Sequence, residues 1–79
     1  MNQYVATFHT HLSALRTWRA LGELGVTARL APVPRALSSS CGTSVKYEAA
    51  APHISAMDRD MEAVYLYLDK AFTLLYENA

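Results

Sequence analysis

Cysteine is nearly absent from the chain: its 79 residues hold one, Cys41. A lone thiol closes no internal disulfide and supplies neither a Cys-x-x-Cys dithiol nor a cysteine-rich zinc site. An excess of charge of one sign is missing too, since 7 Lys and Arg face 7 Asp and Glu. Zero net charge, with no local cluster of Lys or Arg, argues against a general binder of nucleic acid or of anionic membrane. No apolar run approaches the ~18 residues that span a bilayer. The opening Met1-Asn2-Gln3-Tyr4 lacks the basic start of a signal peptide. A cytoplasmic location is the expectation.

Apolar residues make up 52% of the sequence, enough for one core and too many for a disordered tail. A chain of this size buries only about 60–65% of its unfolded surface, and residues 1–79 are read as a single domain. Tyr4, Ala6 and Phe8 alternate with Val5 and Thr7, which predicts a strand over 3–8. Thr10 reads as a helix N-cap, with Ala14, Leu15, Trp18, Leu21 and Gly22 on one face and Gly25 as the stop. A second strand follows over 26–32 and ends at the prolines. Residues 34–42 read as loop and 43–48 as a third strand. Pro52 suits a first helical turn, and Ile54, Met57, Met61, Val64, Tyr65 and Leu68 follow at helical spacing. Residues 72–76 alternate as a closing strand, with continuation of that helix as the alternative.

The order β-α-β-β-α-β predicts an α+β, ferredoxin-like fold: a four-stranded antiparallel sheet with two helices on one face. In that topology the first two strands are parallel and the third lies between them. His9, Thr10 and His11 then share one end of the sheet with Arg35 and residues 38–41, while His53 falls at the other.

Cys41 stands in Ser38-Ser39-Ser40-Cys41-Gly42, just after Pro32-Val33-Pro34-Arg35. A structural cysteine belongs in an apolar run; this one lies in a polar loop. The thiolate is the form that attacks electrophiles and carries sulfur. Loop amides arranged as a nest, the Ser39 and Ser40 hydroxyls and the Arg35 guanidinium are the groups expected to favour it. Gly42 lets the backbone turn tightly beside the sulfur. The plain alternative makes the serines an ordinary turn and Arg35 a solvated charge. His11 is read either as acid–base help near Cys41 or as an exposed helix-start residue. His9, His11 and Cys41 together would offer three soft-metal ligands, but a helix start splays the two histidines, so no metal and no cofactor are expected. Trp18, Met57 and Met61 are read as core.

Three segments taken together resemble the small bacterial family of selenium/sulfur carrier-like proteins. They are Thr10-His11-Leu12-Ser13-Ala14-Leu15 after an opening strand, Gly25-Val26 leading into Pro32-Val33-Pro34-Arg35, and the Ser38–Gly42 loop. The chain departs from that pattern in Trp18 and in the tyrosines Tyr65 and Tyr67. The resemblance implies a carrier rather than a turnover enzyme. Cys41 would hold sulfur or selenium and pass it between a donor and an acceptor protein. A second copy of the chain is a further candidate partner; nucleic acid and membrane are not expected. Two other readings stand beside it: a non-catalytic interaction module whose cysteine is incidental, and a single-cysteine redox sensor.

Overall fold

The computed structural model describes residues 1–78. Strand β1 (Asn2–Phe8) is followed by helix α1 (His11–Glu23), β2 (Thr27–Pro32) and β3 (Thr43–Ala49). A single 3-10 turn (Ile54–Ala56) then leads to β4 (Met61–Leu68) and β5 (Ala71–Glu77). The five strands form one sheet in the order β2-β3-β1-β4-β5, with every neighbouring pair antiparallel.

Helix α1 starts and stops where its sequence says it should. The Thr10 hydroxyl accepts a hydrogen bond from the Ser13 amide at 3.1 Å, which satisfies one of the orphan donors of the first turn. At the far end Gly25 adopts φ +78°. Its amide donates to the Gly22 carbonyl and the Val26 amide to the Leu21 carbonyl, a Schellman closure that requires a left-handed residue. The helix buries Ser13, Ala14, Thr17 and Leu21. They pack on the sheet face carrying Tyr4, Ala6, Phe8, Val45, Tyr47, Met61 and Val64. Trp18 lies at the margin of this core, 38% exposed, rather than within it. Its indole N–H donates to the Ala28 carbonyl at 3.1 Å and so ties the helix to edge strand β2.

The expected ferredoxin-like arrangement is corrected by the structure: there are five strands and one helix among the described residues. No second helix forms over 52–68. The segment Met61–Leu68 is instead the strand that flanks β1, and the expected closing strand lies outside it as part of β5. Met61-Glu62-Ala63-Val64-Tyr65-Leu66-Tyr67-Leu68 is rich in β-favouring residues. Over eight positions its apolar residues satisfy both periods, and pairing with the central strand settles the choice. Asp69-Lys70 then forms the two-residue hairpin turn between β4 and β5, with φ +52° and +62°. Those angles belong to the turn type that best matches strand twist, usually built from Asn-Gly.

A lysine held at positive φ costs about 1 kcal/mol relative to glycine. Lys70→Gly is therefore expected to raise the unfolding free energy by about that amount, measured by urea denaturation. An unchanged or lower midpoint would show that the turn carries no such strain.

Candidate functional site

Strand direction brings the end of β1, the start of α1, the β2–β3 loop and the start of β4 to one end of the sheet. The loop, residues 33–42, is pinched shut at its base by the Val33 amide donating to the Gly42 carbonyl at 3.1 Å. Gly42 itself sits at φ +73°. From edge strand β2 the loop reaches past the ends of β3 and β1 to touch β4, then returns to β3.

What it touches is Glu62. The register of β4 on β1 passes from Thr7↔Ala63 to Phe8↔Met61, so Glu62 is the extra residue of a bulge. A bulge re-aims a side chain, and here the carboxylate meets the loop. Its Oε1 accepts from the Ser39 hydroxyl at 2.8 Å and from the Ser40 amide at 3.1 Å. Its Oε2 accepts from the Ser40 hydroxyl at 2.9 Å. The Ser39 hydroxyl proton is shared with the Phe8 carbonyl at 2.9 Å, which ties the loop to β1 as well. His9 Nδ1 lies 3.4 Å from Oε2 and 3.3 Å from Ser40 Oγ. Burial of this carboxylate works against its charge. The serine hydroxyls, the Ser40 amide and His9 outweigh that penalty and hold the Glu62 carboxyl below the usual carboxylate range.

Cys41 follows the clamped serines directly. Its side chain is half-buried against the core, and Sγ donates to the Thr43 carbonyl at 3.6 Å. His11 Nδ1 lies 3.2 Å from Thr43 Oγ1, so His11 and Cys41 both hydrogen-bond to Thr43. Thus His9, His11, Ser39, Ser40 and Cys41 gather at one end of the sheet. Arg35 and Ser38 are exposed loop residues, and Arg35 forms no ion pair within 4.0 Å among the described residues. His53 lies past the opposite end of β3, at the start of the 3-10 turn, with φ +52°. Among the described residues no group of three His, Cys, Asp or Glu side chains is placed to hold a metal ion. His9 turns to Glu62, and His11 to Thr43.

Glu62 escapes the sequence reading because it stands in a run that also fits a helix, twenty-odd residues beyond the loop. The usable signal is the serine triplet, which caps no helix and so needs an acceptor elsewhere.

A family model described as "Putative Se/S carrier protein-like" matches residues 3–58. The chain belongs to this family. No match is found among curated proteins or among solved structures. The matched segment contains β1, α1, β2, the Cys41 loop and β3, and stops short of β4. The loop therefore lies within the family segment while its anchor, Glu62, lies beyond it. Among the described residues no helix is long and apolar enough to cross a membrane.

A carboxyl whose pKa is lowered by folding stabilises the folded state above its unfolded value of about 4.3. That contribution is lost as pH falls through the lower folded value. Glu62→Gln keeps an acceptor but removes the charge, and is expected to cost about 1–3 kcal/mol at pH 7. It should also flatten the loss of stability below about pH 5. Urea unfolding across pH, wild type against variant, checks both; parallel curves would mean that the carboxylate is not the anchor.

Proposed function

We propose that this protein carries sulfur or selenium on Cys41. The observation that supports the reading is the placement of the chain's lone thiol. It is half-exposed on a loop inside the family segment, next to serines held in place by Glu62. A carrier needs an accessible sulfur in a fixed setting and a surface for docking, not a deep substrate cavity. No second cysteine is present in the chain to resolve an internal disulfide, which suits transfer between proteins.

In the loading step the Cys41 thiolate attacks the outer sulfur of a donor persulfide. A sulfur–sulfur bond forms at Cys41 as the donor's sulfur–sulfur bond breaks, and the donor leaves as a thiolate. Unloading repeats the exchange with an acceptor nucleophile, which takes the outer atom and returns Cys41 to a thiolate. Electrons balance across the pair of steps, so no external oxidant or reductant enters. Selenium follows the same course as the outer atom. The pinched loop base and the clamp on Ser39 and Ser40 limit how far the thiol can wander. Arg35, exposed on the same loop, is available to the anionic outer atom or to the docking partner.

The reading is tested by incubating reduced protein with inorganic polysulfide and mapping added mass by intact and peptide mass spectrometry. One sulfur atom is expected on Cys41, released by cyanide as thiocyanate and absent from Cys41→Ser. Sulfur found elsewhere, or none at all, would overturn the carrier reading.

A further inference from the structure

The sheet face opposite α1 carries a groove of about 420 Å³, bordered on one side by Pro34 of the 33–42 loop, within the range of small-molecule sites. Its walls hold three cations, Arg29, Lys46 and Lys70, against one carboxylate, Glu48. The chain as a whole has no net charge, so positive charge is concentrated here. Arg29 and Lys46 are directly opposite one another in the β2–β3 register, an arrangement of like charges that destabilises a sheet. Neither is neutralised: among the described residues the only ion pairs within 4.0 Å are His9–Glu62 and Arg16–Asp58. The third cation, Lys70, is held at positive φ in a turn where glycine is the unstrained residue. Two separate costs, repulsion and backbone strain, thus bring cations to one cavity.

The other wall is aromatic. Tyr67 and Phe72 line the groove from β4 and β5, with ring centroids 4.9 Å apart and planes tilted by 43°. Both are half-exposed, so a ring surface remains for a further planar group. Lys46 on β3 lies two strand positions from Tyr67 on β4, and Arg29 on β2 lies three. With the two-residue offset along the strands, the backbone positions of the anion-binding and ring-binding walls are roughly 12–16 Å apart. Val5, nearly fully buried and facing this side between Lys46 and Tyr65, forms an apolar floor.

We propose that this groove binds a small molecule of the nucleoside monophosphate class. Its ring lies against Tyr67 and Phe72, and its phosphate sits between Arg29 and Lys46 with Lys70 at the rim. Glu48, unpaired at the same rim, accepts hydrogen bonds from ring or sugar donors. Cys41 does not line the groove, although Pro34 of its loop does, and occupancy does not require sulfur transfer.

The test is titration of the full-length labelled protein, followed by amide NMR, with adenosine monophosphate, adenosine, inorganic phosphate and a short single-stranded oligoadenylate. Saturable shifts are expected with the monophosphate at Lys46, Tyr67, Lys70 and Phe72. Adenosine and phosphate alone should each bind at least about tenfold more weakly, since each forfeits one wall. Arg29→Gln with Lys46→Gln should weaken the monophosphate by a similar factor. The same pair should leave the thermal midpoint unchanged or raise it, because it removes a like-charge contact. Tyr67→Leu should erase the preference for the monophosphate over free phosphate. Three results would each overturn the proposal: no saturable shifts in the groove, undiminished binding by the charge-neutral variant, or binding of the oligonucleotide without the monophosphate.

Discussion

The Glu62 carboxylate is a partly buried charge that the fold must compensate, and compensation comes from one loop. Two serine hydroxyls, a loop amide and His9 converge on it. A charge-assisted hydrogen bond is worth more than a neutral one, and an unsatisfied carboxylate in this position would cost more than either. The loop from β2 to β3 is thereby obliged to cross the ends of two strands and close against β4. Without that demand a ten-residue loop would have many conformations of similar energy. With it, Ser39 and Ser40 are fixed, and Cys41 is fixed as their neighbour.

The bulge is what makes the contact possible. In a regular ladder, a residue between Met61 and Ala63 would pair with β1 and point to one face of the sheet. The extra residue leaves Glu62 unpaired on that side, while its carbonyl still accepts from the Asn78 amide. The two ends of β4 thus do different work. The first, with its bulge, anchors the loop that bears the thiol. The second supplies Tyr67, which with Phe72 builds the aromatic wall of the groove on the open face, while Tyr65 packs edge-on against Phe72. One face of the sheet is consumed by α1 and the core, so the open face and the loop end are the surfaces left for recognition. Pro34 of the loop borders the groove, so the two surfaces adjoin.

Several features were legible in the sequence because local rules govern them. Thr10 and Gly25 bound α1 through backbone groups within a few residues of themselves. β1, β2 and β3 follow from alternation that has no competing period. The polar setting of Cys41 and the pieces of sequence around it were enough to indicate a family, which the match over residues 3–58 bears out. The gathering of His9 and His11 with the cysteine loop was also legible, because it requires only that β3 lie between β1 and β2.

What tertiary structure alone decided begins after β3. The pattern from Ile54 to Leu68 meets the demands of a helix face and of a strand, and its own residues do not choose between them. The free edge of β1 does, by offering a ladder of backbone hydrogen bonds to whichever segment can extend beside it. Once Met61–Leu68 became a strand, Asp69-Lys70 became a hairpin turn and Ala71–Glu77 an outer strand. Glu62 became the loop's anchor at the same moment, through a one-residue bulge that no spacing in the chain announces. The sequence by itself determined the lone thiol, its loop and the helix beside it, since each depends on neighbours along the chain. The partners of that loop and the charged, aromatic groove across the sheet depend on strands brought together from distant positions. Only the folded register sets which of their side chains meet.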